Sequence, residues 1–192
     1  MRYSILFLEY DPNGVNRETT IKSLQSVIDN SKEYDFELIH VKNVKGYVNA
    51  VNEGLSRAKG EYIVQVANDV FLEDSKWLEK LTKDNSICGW RTIPFYLTGL
   101  YRPDFACWGI SREVLNKVGL MDSSYSEGYG FDDDDYFYSC LDKGVGIVDS
   151  QIKLTHLETL TYNTVFKEDK EKMMQRNKEI FISKWMDKLN LK

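Results

Sequence analysis

The chain has little cysteine: three residues in 192, far apart at Cys88, Cys107 and Cys140. An odd number without a paired CxxC spacing indicates neither a disulfide framework nor a zinc site. No apolar run approaches the roughly 18 residues that a membrane span needs. The opening Met1–Glu9 is too short in its apolar part for a signal peptide, so a cytoplasmic protein is expected. A basic field is also missing. The net charge is −5, which gives nucleic acid or an anionic membrane no global attraction. The local exception, eight Lys/Arg against five Asp/Glu over residues 167–192, reads as a solvated helix face. There is no internal repeat, linker or low-complexity segment. The length suits one domain with a real core. Aromatics make up 13% of the chain, many of them between Trp90 and Tyr138, which suits either a ligand surface or an aromatic-rich core.

Tyr3 to Leu8 is nearly continuous in apolar residues, as a strand buried on both faces requires. Asp11-Pro12-Asn13-Gly14 is turn chemistry. Arg17 to Asp29 places Ile21, Leu24, Val27 and Ile28 at helical spacing. Phe36 to Val41 and Tyr62 to Ala67 read as further strands. Val51, Leu55 and Ala58 mark a helix between them, capped at Lys59-Gly60. Trp77, Leu78 and Leu81 belong to a third helix. This alternation predicts βαβ units, an α/β fold and a mostly parallel sheet. Right-handed crossovers then put Asn43 and Asn68-Asp69 on one sheet edge, where open α/β sheets bind ligands. Later segments are less regular. Ile87 to Thr92 and Ile93 to Thr98 flank Pro94 as strands or a hairpin, and Phe105 to Ile110 reads as a strand. Ser111 suits an N-cap for a helix over Arg112 to Val118. A helix runs from the acidic run to Leu141. Met173, Ile180, Phe181, Trp185 and Leu189 form an apolar stripe on a C-terminal helix.

Four consecutive aspartates, Asp132 to Asp135, follow Glu127-Gly128-Tyr129-Gly130-Phe131. Like charges this close raise one another's pKa and are costly unless a cation joins them. A helix N-terminus favours one or two carboxylates, and four exceed that need. One member can act as a general base while its neighbour tunes it. A calcium loop is the rival, but the alternating ligand spacing and glycine of an EF-hand are missing. Asp69, at the end of a strand, presents a hard oxygen ligand suited to Mg²⁺ or Mn²⁺ with a bound diphosphate, or else serves as a turn or cap. His156 supplies a nitrogen ligand beside Asp69 or a structural contact. His40, inside a strand, reads as packing.

Taken in order, these features resemble a family 2 glycosyltransferase of the GT-A fold. Tyr3 to Pro12 resembles the opening strand and nucleotide loop, with Glu9-Tyr10-Asp11-Pro12 in place of the commoner loop sequence. Phe36 to Gly54, with Asn43, Gly46, Asn52 and Gly54, resembles the strand, loop and helix that hold the nucleoside. The strand there ends in Val41-Lys42-Asn43 rather than an aspartate. Gly60-Glu61-Tyr62-Ile63 running to Ala67-Asn68-Asp69-Val70 resembles the family's metal motif, with Ala67 in the first acidic position. Cys107 to Glu113 with Val118 to Asp122 is similar to the acceptor-side block. Gly130 to Tyr136 resembles "GxEDxDY", with Asp132 replacing the glutamate.

The resemblance implies one GT-A domain over residues 1–192: a nucleotide-binding half (1–85), an acceptor and catalytic half (86–165) and a C-terminal helix (166–192) packed on the domain. It implies Mn²⁺ or Mg²⁺ held by Asp69 and His156, and donor contacts from Tyr10, Asp11, Asn43, Gly46, Asn52 and Asn68. Trp108 and Asp135 would meet the acceptor. Asp133 would be the base of an inverting transfer, with Asp132 beside it. The donor would be a nucleotide-diphospho-sugar, a UDP-sugar foremost. The acceptor would be a glycan, a lipid-linked sugar, a protein or a modified nucleic-acid base. Three readings compete: a nucleotidyltransferase, for which residues 11–17 make a poor phosphate loop, a non-catalytic nucleotide-sugar or carbohydrate-binding module, and a calcium-binding interaction protein.

Overall fold

The computed structural model describes residues 2–158, 160 and 170–189. The expected alternation opens the chain: β1 (Tyr3–Glu9), α1 (Arg17–Asp29), β2 (Phe36–Lys42), α2 (Tyr47–Arg57) and β3 (Tyr62–Ala67). Short elements follow: β4 (Val70–Leu72), α3 (Trp77–Lys80), β5 (Ser86–Gly89), β6 (Thr92–Pro94), β7 (Tyr101–Pro103) and β8 (Cys107–Ser111). Then come α4 (Arg112–Val118), a 3₁₀ turn at Ser123–Tyr125, α5 (Asp132–Asp142), β9 (Gly146–Asp149), β10 (Leu154–His156) and α6 (Lys170–Leu189). The central sheet has the order β2-β1-β3-β8-β5-β9. β1 pairs in parallel with β2 and β3, β5 pairs in parallel with β9, and β8 runs antiparallel between β3 and β5.

All seven residues of β1 are buried, as a central strand covered on both faces requires. One apolar layer lies under α2, α4, α5 and α6, and a second lies against α1 and α3. Ser111 caps α4 by accepting from Val114 N–H at 3.2 Å. The aromatics between Trp90 and Tyr138 are mostly core: Phe95, Phe105, Trp108, Tyr125, Phe131 and Tyr136 to Tyr138 are buried, whereas Tyr96 and Tyr101 are exposed. On α6, Phe181 and Trp185 bury against Tyr138, with ring centroids 5.7 and 5.8 Å apart. Residues 166–169 and 190–192, like the side chain of Leu189, lie outside the described residues.

Some local expectations fail for physical reasons. α1 buries Thr20, Ser23 and Val27, while Ile21 is exposed. The helix docks through hydroxyls on the backbone of β4: Ser23 Oγ donates to Val70 O at 2.6 Å, and Ser26 Oγ accepts from Leu72 N at 3.0 Å. Of the two segments flanking Pro94, expected as strands or a hairpin, the first gives β5 of the central sheet, and the hairpin pairs β6 with β7, beyond the expected bounds. His40 does more than pack. Its Nε2 lies 2.6 Å from Glu9 Oε2, tying β2 to the end of β1. The three cysteines are buried and unpaired.

Candidate active site

A cleft of about 1240 Å³ opens at the carboxyl ends of β1 and β3 and runs to the start of α5. Glu9, Tyr10, Gly46, Gln65, Asn68 and Asp69 line one part of it; Arg102, Asp104, Phe131, Asp132, Asp133, Asp134 and His156 line another. A two-stranded ladder sets the Asp69–His156 pair. β10 runs antiparallel to β4 with His156 opposite Val70, and Leu157 N–H donates to Asp69 O at 3.0 Å. His156 Nε2 therefore stands 3.4 Å from Asp69 Oδ1. Burial opposes a charge on the imidazole, but the hydrogen bond and charge of Asp69, with Asp104 and Glu158 further off, outweigh it and raise the pKa of His156.

A carboxylate oxygen and an imidazole nitrogen, both nearly buried and both on the cleft, suit Mn²⁺ or Mg²⁺. Among the described residues no group of three or more His, Cys, Asp or Glu could hold an ion. Asp69 and His156 are thus the two protein ligands that this part of the cleft offers a cation.

The acid run opens α5 after a sharp turn. Gly130 and Phe131 both take positive φ, +70° and +63°. Such a backbone is costly for phenylalanine and is held by the packing of its ring against Phe95, Tyr96 and Phe181. Asn177 of α6 fastens the same loop, donating to Gly130 O at 2.8 Å. A Cβ on Gly128 would meet Asn177 Oδ1 at 1.8 Å, so a larger residue there would displace the Asn177 side chain. Arg102 Nη1 lies 2.9 Å from Asp133 Oδ2, and Arg102 Nε forms a close ion pair with Asp134 Oδ1 outside hydrogen-bond geometry. Asp133 Oδ1 accepts from Asp134 N–H at 3.0 Å. Burial and the Asp133 charge push Asp132 up to about 7 and Asp134 up to about 8, while Arg102 pulls both back.

Of the residues named from sequence, Tyr10, Gly46, Asn68, Asp69, Asp132, Asp133 and His156 line the cleft. The others do not. Asp11 is buried in the loop after β1, with Oδ2 accepting from Asn16 N–H at 2.9 Å. Asn43, at φ +57°, accepts from Asp11 N–H at 2.8 Å and so shapes that loop. Asn52 pairs through both side-chain atoms with the backbone of Met121, each at 2.9 Å. Trp108 and Asp135, expected to meet the acceptor, are interior residues. Trp108 is 1% exposed and donates to Tyr47 Oη at 3.1 Å. Asp135 is 2% exposed and accepts from Trp185 Nε1 at 2.8 Å and Lys184 Nζ at 2.9 Å. It anchors α5 to α6. Among the cleft residues that were missed are Arg102, Asp104 and Gln65. Gln65 is a polar residue inside an apolar strand, a signal that sequence could have offered. Arg102 and Asp104 stand in an irregular stretch with no periodicity to mark them.

Residues 16–104 match the family model described as Glycosyl transferase family 2, a stretch that holds Asp69 and ends before the acid run. No curated protein matches. Among solved structures the chain is similar to Drosophila β1,4-galactosyltransferase 7 in complex with manganese, UDP-Gal and xylobiose. That likeness has a TM-score of 0.67 and 15% identity, covering 92% of this chain and 80% of that one. It is similar to a mannosyltransferase from Pyrobaculum calidifontis in complex with GDP-Man and Mn²⁺, with a TM-score of 0.52, 13% identity, 77% of this chain and 54% of that one. S. aureus TarS, residues 1–349, gives a TM-score of 0.52 and 9% identity over 97% of this chain and 72% of that one.

Proposed function

We propose that this chain, a family 2 glycosyltransferase of the GT-A fold, moves a sugar from a nucleotide-diphosphate donor to a hydroxyl acceptor with inversion. The observation that carries the reading is that the Asp69–His156 pair and the Asp132–Asp133 pair line one cleft. Asp69 and His156 would hold Mn²⁺ or Mg²⁺, which when bound neutralises charge on the departing diphosphate. Tyr10, Gly46 and Asn68 lie where the donor enters at the strand ends. Asp133 takes the proton of the acceptor hydroxyl as its oxygen bonds to the anomeric carbon and the bond to the diphosphate breaks. Arg102 matches the charge of Asp133, whereas burial and the Asp133 charge raise Asp132 to about 7. One base and one displacement give inversion. The similar structures hold UDP-Gal and GDP-Man, which makes UDP-sugars, then GDP-sugars, the first donors to try.

Calorimetry with UDP, GDP and CDP, with and without Mn²⁺, tests the donor site. Because the protein offers two ligands, nucleotide and Mn²⁺ should each bind weakly alone and tightly together. Hydrolysis across a nucleotide-sugar panel tests turnover. Nucleotide binding without any turnover would favour a non-catalytic binding module. No nucleotide binding at all would end the enzyme reading.

A further inference from the structure

Four carboxylates, Asp132 to Asp135, share the first turn of α5, and the cation that pairs with Asp133 and Asp134 comes from elsewhere in the chain. Arg102 sits in β7, opposite Ile93 in the β6–β7 hairpin. The side chain is 13% exposed, against 21% for Asp133 and 7% for Asp134. The charged groups that face it are Asp132, Asp133 and Asp134 from α5 and Asp104 from its own strand's end. Asp104 already has a partner, because Arg91 Nε donates to its Oδ2 at 2.8 Å. Arg102 is therefore committed to the acid run.

Its delivery is rigid. Phe95, in the same hairpin connection, packs on Phe131, Tyr138 and Phe181 at 6.1, 5.9 and 5.3 Å. Thr98 Oγ1 bonds the Tyr138 hydroxyl on α5. Arg102 Nη1 also donates to Pro103 O at 3.0 Å, which fixes the guanidinium plane. A guanidinium held this way keeps its charge in one place beside the two carboxylates.

We propose that Arg102 is a positioning residue for the acceptor-side base: from β7 it holds the Asp133 carboxylate in one orientation and supplies the positive charge that meets the carboxylates of this buried wall. This rests on the glycosyltransferase reading above. Without the guanidinium, adjacent buried carboxylates would take up protons, since like charges and desolvation both favour the neutral form. A protonated base accepts nothing from an acceptor hydroxyl.

Arg102→Met, which keeps the stem and removes the charge, is compared with Arg102→Lys. The first readout is the pH profile of turnover with the preferred nucleotide sugar. The second, independent of activity, is the carbon-13 titration of labelled aspartate carboxyls in the full chain. In the methionine variant the acidic limb should move up by about one pH unit or more, so that turnover falls most at the acidic end of the profile and recovers as the pH rises. Carboxyl midpoints in the acid run should move the same way, and UDP binding with Mn²⁺ should be unchanged. The lysine variant should restore most of the limb. Arg102→Gln replaces the methionine variant if that one does not fold. An equal loss of turnover at every pH with unmoved carboxyl midpoints would overturn the proposal. If the wild type turns over no nucleotide sugar, the glycosyltransferase reading falls, and the carboxyl titration still decides whether Arg102 sets the charge of the acid run.

Discussion

The wall of the cleft that carries Asp69 is made of backbone. Glu9, Tyr10, Asn68 and Asp69 stand where parallel strands β1 and β3 end, and the parallel pairing of those strands puts them on one edge. The wall that carries Asp132 to Asp134 is made of side chains. It needs a left-handed Phe131, an arginine from a hairpin, and an asparagine and a tryptophan from α6. The first wall keeps its geometry as long as the sheet exists. The second depends on pairs distant in sequence, so single substitutions there should divide cleanly into those that remove chemistry and those that remove structure.

The largest expected effect is Asp133→Asn. If this carboxylate is the base, turnover should fall on the order of 10²- to 10⁴-fold, with UDP affinity in the presence of Mn²⁺ unchanged. Steady-state kinetics beside calorimetry checks both halves. A variant that keeps its rate would move the base to Asp132 or out of the acid run.

Next comes Asp135→Ala, two positions along the same helix. Asp135 lies outside the cleft and joins Trp185, Lys184 and Tyr125, so the loss should be structural. Leaving Trp185 Nε1 and the Tyr125 hydroxyl without a buried acceptor should cost about 2–4 kcal/mol of unfolding free energy. Urea unfolding measures it. Turnover per folded molecule should stay within a few-fold of wild type, and a selective rise in acceptor KM would restore Asp135 to the acceptor side.

Asp134→Asn separates the walls by pH. Asp134 is raised to about 8 against an ordinary 3.8, because burial and the Asp133 charge favour the neutral acid. The folded state then binds this proton more tightly than the unfolded state. Stability is lost as pH rises from about 4 to about 8, and the deficit is complete above that. The asparagine carries no such penalty and leaves Arg102 paired with Asp133. Its melting temperature relative to wild type should climb with pH, small at pH 4 and about 4 °C or more by pH 8. A difference that stays flat across this range would show that Asp134 is not held neutral.

This contrast also explains what could be read from the chain. β1, β3 and the position of Asp69 follow from apolar runs and crossover handedness, which are local rules. The acid run was visible as an excess of charge that no cap requires. Its partner was not visible: Arg102 lies 30 residues upstream, and the ion pair exists only after the hairpin docks. Trp108 and Asp135 were misplaced because residue type says what a side chain can bind, whereas neighbours decide which way it faces. α1 misled in the same way, since hydroxyls bonded to a strand backbone took the buried face that Ile21 was expected to fill.

Asn52→Ala should have the smallest effect, and it tests whether the backbone-built wall extends into α2. Expected from sequence to contact the donor, Asn52 instead accepts from Met121 N–H and donates to Met121 O, fastening α2 to the loop after α4. Both bonds are part-buried, and the backbone groups they release can be rehydrated. The loss should therefore be about 1–2 kcal/mol, with UDP affinity in the presence of Mn²⁺ unchanged. Gly46, at the start of the same helix, does line the cleft, and a Cβ there would meet Ser126 O at 2.6 Å. A donor site coupled to α2 would then act through that close approach rather than through Asn52. If Asn52→Ala weakens UDP more than it weakens folding, the loop it fastens holds the nucleotide, and the donor wall is built from side-chain pairs after all.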